Sequence, residues 1–278
     1  LYDVFLRLDT LELYFILEAM EGNLHQFIKS RRSRPIAGGL TASIFRQIAT
    51  GLDHIHSSGY FYRDMKPENL LVTTTSLFDY PTLNPFASAG SPPEKDVVLI
   101  VKIGDFDMAR KIVSTPPYTD YVATRWYRAP ELILRSRTYT ASVDMWGFGA
   151  IMAEIIDLRP LFPGTDEMNQ VWQICQVLGD PSDAYGADLR GHALGGGPWD
   201  EGVQLAARLG CEFPKSTPIN LFAHFNRAVP VRLVECIVDL LRYDPGARLT
   251  ARQCLEHPYL QETARAGEVA LSLPAAYL

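Results

Sequence analysis

Between residues 62 and 71 the chain reads Y-R-D-M-K-P-E-N-L-L, and between 103 and 110 it reads I-G-D-F-D-M-A-R. Asp64, Lys66 and Asn69 place a carboxylate, a cation and a neutral oxygen donor on one short stretch. Moving a phosphoryl group onto a hydroxyl needs all three: a carboxylate to orient the attacking oxygen and take its proton, a cation beside the travelling phosphate, and an oxygen ligand for a metal. Asp105, just after an apolar run, adds a carboxylate of the kind that holds a divalent cation against phosphates. A polar turn between helix and strand would account for Pro67 and Asn69, but not for the whole run.

Such residues work only if rigid elements hold them. Residues 1 to 18 give two apolar runs around a polar tip at Arg7 to Thr10, the pattern of a β-hairpin. From Thr41, a candidate N-cap, the apolar positions Ile44, Ile48, Leu52 and Ile55 recur at helical spacing, and Gly59 stands just past the end. This helix delivers the chain to Tyr62. Residues 76 to 95 hold four prolines among small polar residues, which predicts a flexible insertion before the β-like run D-V-V-L-I-V-K-I. Ser142 to Ile156 is apolar nearly all round, so it predicts a helix buried on every side. Val231 to Arg242 and a segment capped by Thr250 and ending near His257 read as further helices, and the glycine-rich run from Gly186 to Gly197 as a loop.

At 278 residues and 47% hydrophobic content the chain can bury a large core. With 26 Lys and Arg against 32 Asp and Glu, the net charge of −6 offers no domain-wide basic field, so no nucleic-acid partner is expected. No apolar run reaches the roughly 20 residues of a membrane helix, and no signal pattern opens the chain, so no membrane partner is expected either. Cys175, Cys211, Cys236 and Cys254 form no C-x-x-C pair, which fits a reducing compartment, cytoplasmic or nuclear. His54 and His56 lie two apart on a helix, face differently and are read as packing residues.

The run at 62 to 71 resembles the catalytic loop of eukaryotic protein kinases, with Tyr62 and Met65 as its departures. Residues 119 to 131, T-D-Y-V-A-T-R-W-Y-R-A-P-E, resemble a kinase activation segment. Together with L-R-P-L-F-P-G-T at 158 to 165, I-C-Q-V-L-G-D-P-S at 174 to 182, and the W-D-E-G, F-P and P-I-N-L runs between 199 and 221, they resemble the CMGC group, and within it the RCK kinases. The resemblance implies an α+β, protein-kinase-like fold with a mainly helical large lobe. Residues 1 to 18 would be the last strands of the small lobe and the hinge approach, and 19 to 262 the large lobe, with the CMGC insert at about 165 to 230 and the insertion at 76 to 95. Residues 263 to 278 would be a tail.

The same resemblance implies ATP and Mg²⁺ as cofactors and assigns roles residue by residue. Asp64, Lys66 and Asn69 would be catalytic, and Asn69 and Asp105 would be metal ligands. Leu17 would gate the adenine pocket, Glu18 and Met20 would form the hinge, Asn23 would contact ribose and Leu71 would floor the base. Thr119 and Tyr121 would be phosphorylated, with Arg63 and Arg110 receiving the first phosphate and Arg125 and Arg128 the second, because guanidinium forks bind phosphate bidentately. Asp144 would hold the catalytic loop, and Glu131 with Arg248 would tie the activation segment to the later helices. Partners would be protein substrates and an upstream activating kinase, acting on a monomer.

Two departures bear on activity. No glycine-rich loop or strand lysine is found, and by resemblance Leu1 lies at the fourth strand of the small lobe, as in a truncated chain. The position after Phe106, glycine in the family, carries Asp107, which would stiffen the turn and add charge beside the phosphates, or add a metal ligand. The implied function is a proline-directed serine/threonine kinase. The alternative is a pseudokinase that scaffolds partners through its large lobe. A different class of ATP-dependent phosphotransferase would have no use for the activation-segment features.

Overall fold

In a computed structural model, residues 1–80, 94–112, 125–226 and 228–263 are described. The chain opens with the expected hairpin, β1 (Asp3–Arg7) antiparallel to β2 (Glu12–Ile16), turned through Leu11 at φ 58°. β3 (Gly22–Asn23) leads directly into α1 (Leu24–Ser30), where Asn23 and Gln26 form a reciprocal capping box.

α2 (Gly38–Ser57) begins a turn before its expected start. Thr41 is not its cap: it is buried inside the helix, and its amide donates to the carbonyl of Ala37, the true N-cap. Ala37 makes no side-chain cap bond, and Gly38 and Gly39 read as loop formers, so local sequence gave no start signal. At the other end Gly59 takes φ 81°, a conformation open to glycine at little cost. β4 (Tyr60–Phe61) then feeds the catalytic stretch.

β5 (Leu70–Tyr80) pairs antiparallel with β6 (Glu94–Ile103), and β3 joins the other edge of β5. The pairing continues to Tyr80 opposite Glu94, which corrects the expected insertion at 76 to 95. Leu77, Phe78 and Tyr80 favour strand, and the described ladder reaches Tyr80. Residues 81–93 lie outside the described residues. β7 (Arg110–Lys111) returns beside β4.

The second half is helical. α3 (Pro130–Ile133) precedes α4 (Ser142–Asp157), whose residues from Val143 to Ile155 are all buried, as a helix apolar on every face requires. Gly147 lets α4 lie against the catalytic loop: a Cβ there would come within 2.7 Å of the Met65 Cβ and 3.3 Å of the Tyr127 carbonyl. After α4 come α5 (Glu167–Leu178), α6 (Asp200–Arg208), α7 (Leu221–His224), α8 (Val231–Leu240), α9 (Ala251–Glu256) and α10 (Pro258–Glu262); α8 packs on α4, and α9 and α10 on α2. α8 ends two residues short of the expected Arg242. Thr250 caps α9 by a second capping box with Gln253. The tail beyond Thr263 lies outside the described residues. The core is continuous from Leu24 in α1 through α2 and α4 to Leu260 in α10, so the catalytic stretch rests on a packed scaffold.

Candidate active site

Asp144, one turn into α4, is 1% exposed, and its carboxylate receives three bonds. The Tyr62 amide donates at 2.8 Å, the Arg63 amide at 2.6 Å, and His56 Nε2 lies 2.8 Å away. The core helix therefore grips the catalytic stretch by its backbone while α2 closes the same carboxylate from the other side. This corrects the reading of the two histidines as packing residues: His56 is a polar partner of Asp144, and His54 is exposed. Arg63 sits at φ 73°, a conformation costing roughly 1–2 kcal/mol for a residue with a Cβ, which this clamp holds in place.

On that clamped segment the three chemical residues converge. Lys66 Nζ lies 2.6 Å from Asp64 Oδ2, and Asn69 Nδ2 donates to the same oxygen at 2.8 Å and to the Asp64 carbonyl at 3.1 Å. Two bonds of the Asn69 amide nitrogen thus go to Asp64, and its amide oxygen is the atom with ligand capacity. The Gly104 amide donates to the Asn69 carbonyl at 2.9 Å, bringing Asp105 beside Asn69. An exposed carboxylate next to an amide oxygen is a hard-oxygen donor set suited to Mg²⁺. Bound there, the ion would neutralise charge on the nucleotide phosphates.

Asp105 has φ 53°, whereas Asp107 is not among the residues with positive φ. The expected backbone strain at the altered position is therefore absent. The left-handed residue of the triplet is Asp105, and Asp107 occupies an exposed turn that any residue can adopt. What the substitution adds is a carboxylate, not strain.

The nucleotide-contact candidates are only partly gathered. Leu71 pairs with Asn23 across one edge and with Lys102 across the other, and its side chain is where a Cβ on Gly104 would clash, at 2.7 Å. Glu18 reaches Lys102 at 2.6 Å, and Met20 sulfur accepts from Thr73 Oγ1 at 3.4 Å. Glu18, Met20, Asn23 and Leu71 therefore surround one sheet, although the Asn23 side-chain oxygen already caps α1. Leu17 is exposed on the hairpin side and is not brought to Leu71.

Of the phosphate-binding candidates, Arg110 pairs in the β4–β7 ladder with Phe61, two residues before Arg63 in the chain. Arg63 Nε donates to the Met108 carbonyl at 2.6 Å and Nη1 to the Tyr139 hydroxyl at 3.0 Å. Arg125 and Arg128 flank the single helical turn Arg125–Tyr127, bonded by Arg128 N to the Arg125 carbonyl at 3.0 Å. Thr119 and Tyr121 lie outside the described residues. Glu131 and Arg248 form a buried fork, with Nη1 to Oε1 at 2.6 Å and Nη2 to Oε2 at 2.7 Å.

One buried carboxyl went unnoticed in the sequence. Glu154 of α4 accepts from the Tyr127 hydroxyl at 2.6 Å. Burial pushes its pKa up to about 7, the Tyr127 bond opposes this and the Glu68 charge adds to it. The folded state thus keeps a proton that the unfolded carboxyl gives up near 4.5, so stability falls as pH rises from there to about 7 and is level above. The loss should approach roughly 3 kcal/mol. A Glu154→Gln variant, which still accepts from Tyr127, should lack this slope when melting temperature is followed from acid to neutral pH. Parallel profiles for variant and wild type would rule it out.

Residues 1–260 match the protein kinase domain family, and the chain belongs to it. It is 42% identical over 249 residues to the serine/threonine-protein kinase MAK of Homo sapiens and 41% over 249 residues to the serine/threonine-protein kinase ICK of Rattus norvegicus, each covering 90% of this chain and 34% of the relative. It is 36% identical over 267 residues to the meiosis induction protein kinase of Saccharomyces cerevisiae, covering 95% of this chain and 40% of that protein. These are the RCK kinases of the CMGC group that the motifs resemble, and the fold is the kinase-like α+β fold with a helical large lobe. The chain spans about a third of the length of the first two.

Proposed function

We propose that this chain is the catalytic large lobe of an RCK-type serine/threonine kinase that transfers the γ-phosphate of ATP, with Mg²⁺, to serine or threonine of protein substrates followed by proline. The observation that carries this reading is the convergence of Lys66 and Asn69 on one oxygen of Asp64. Asp64 orients the acceptor hydroxyl and takes its proton, Lys66 sits where charge moves with the phosphate, and Asn69 and Asp105 hold the metal. Thr119 and Tyr121 receive activating phosphates from an upstream kinase, which relieve the repulsion within the two arginine pairs. The protein works as a monomer in the cytoplasm or nucleus. Asp107 in an ordinary turn conformation favours this reading over a pseudokinase scaffold.

The test is phosphate transfer by the complete protein, isolated in an active state, to peptides differing only in proline or alanine after the acceptor. The proline peptide should be preferred by at least tenfold in kcat/KM, and mass spectrometry of the active protein should find phosphate on Thr119 and Tyr121. Equal use of both peptides would remove the proline preference. Absence of turnover with either, with nucleotide still bound, would favour the scaffold.

A further inference from the structure

The turn from α1 to α2 reads K-S-R-R-S-R over residues 29 to 34, a run of cations in a chain whose net charge is −6. One of them points inward. Arg31 is 7% exposed, and its guanidinium donates to the Arg34 carbonyl at 3.3 Å and the Pro35 carbonyl at 2.7 Å while lying 5.5 Å over the Phe27 ring. The Arg34 amide closes the same turn on the Arg31 carbonyl at 2.9 Å, and the buried pair Ile36 and Ala37 anchors its far end.

This staple fixes an unfavourable backbone. Arg32 and Ser33 are consecutive non-glycine residues at φ 47° and 68°, a conformation that persists only where the surroundings impose it. The result is a rigid tip on which Lys29, Ser30, Arg32, Ser33 and Arg34 are all exposed, with no carboxylate between them. Among the described residues, the side chains of Lys29, Arg32 and Arg34 take part in no ion pair. Lys29 complements the negative end of α1, but Arg32 and Arg34 lie beyond that helix and have no such use.

We propose that this tip is a docking site for a carboxylate-rich segment of a partner protein, with the Arg32 and Arg34 guanidinium forks each taking a carboxylate and Lys29 adding charge. Planar forks match carboxylates bidentately, and a preset turn spares the ordering cost that a flexible basic loop would bring to binding. A duplex or an anionic lipid surface draws on a broad basic field, which an acidic protein with its unpaired cations on one turn does not offer. A single strand also needs exposed rings beside the cations, and the ring at this turn, Phe27, lies beneath Arg31. A short acidic peptide fits the size of the tip.

The test follows the fluorescence anisotropy of a labelled peptide of alternating glutamate and serine, titrated at low salt with the complete protein. Binding and not turnover is read, so the result is independent of the kinase reaction. Arg32→Glu with Arg34→Glu should weaken binding by about tenfold or more, while melting with the wild type because both side chains are exposed. Arg190→Glu with Arg208→Glu makes the same change of charge on two other exposed arginines and should weaken it by less than about twofold. Equal loss in the two double variants would overturn the proposal, because net charge and not the tip would then govern binding. Absence of saturable binding by the wild type would overturn it as well. So would a DNA duplex or phosphatidylserine vesicles that bind the wild type more tightly than the peptide and are released by the tip variant, since the occupant would then be of another class.

Discussion

Asp64→Ala in the complete protein should lower the rate of phosphate transfer by about a thousandfold to ten-thousandfold, equivalent to roughly 4–5.5 kcal/mol of barrier. General-base assistance alone accounts for part of this. The geometry adds more, because the Asp64 carboxylate is also the acceptor that holds Lys66 at 2.6 Å and Asn69 at 2.8 Å. Without it Lys66 and Asn69 both lose that oxygen, and the Asn69 amide keeps only the Asp64 backbone carbonyl at 3.1 Å. The three residues should therefore act as one unit: Lys66→Ala in the Asp64→Ala background should cost little beyond the single substitution, as coupled catalytic groups do. Nucleotide affinity should change by less than about threefold, because the role proposed for Asp64 is at the transferring group and not at the base. Single-turnover rates for the two single and one double variant decide it. A residual rate within tenfold of wild type for Asp64→Ala, or fully additive losses, would contradict the clustered arrangement.

How much of this could be read from the sequence depended on whether the chemistry fixes residue types at short range. Asp64, Lys66 and Asn69 are six residues from end to end, and phosphoryl transfer constrains each of them. The all-apolar α4 and the capped α9 were equally legible, since burial on every face and a reciprocal cap each leave a local pattern. His56 was not: its partner Asp144 lies 88 positions away, and the comparison of two neighbouring histidines looked along the helix instead of across it. The start of α2 at Gly38 escaped because its cap is a backbone carbonyl of Ala37, which carries no side-chain signature. Glu154 escaped for a third reason. A lone glutamate in an apolar helix can face solvent, and only the fold shows Tyr127 against it. At Asp107 sequence reasoning located the departure but misplaced the strain, which belongs to Asp105, because residue type alone does not report φ.

The second large effect concerns the pair Glu131–Arg248, and the two residues should fail for different reasons. Both side chains are essentially buried, and the guanidinium does more than meet the carboxylate. Its Nε donates to the Arg242 carbonyl at 2.7 Å, Nη1 also to the Ser142 carbonyl at 3.1 Å, and Nη2 to the Tyr243 carbonyl at 3.0 Å, while the plane lies over Trp146 at 5.0 Å. One side chain thus joins the start of α4, the segment after α8 and the helix that follows the activation segment. Removing one member of a buried pair strands the other charge and costs roughly 3–5 kcal/mol. Arg248→Ala should reach the upper end, since it also removes a donor from three carbonyls, that of Tyr243 in a buried bond. In calorimetry of the complete protein its kinase-domain transition should drop by roughly 6–20 °C. Arg248→Lys should recover less than half of the loss, because an ammonium cannot span both carboxylate oxygens and the carbonyls together. The double replacement Glu131→Leu with Arg248→Met separates the ion pair from the carbonyl network. If charge pairing were all that mattered, this apolar swap would be near neutral, as it is for isolated buried pairs. With the Arg242, Ser142 and Tyr243 carbonyls left without their donor, it should instead stay at least about 2 kcal/mol below wild type. A double variant as stable as wild type would show that the guanidinium's backbone bonds contribute nothing net, and that the buried fork is a matter of charge alone.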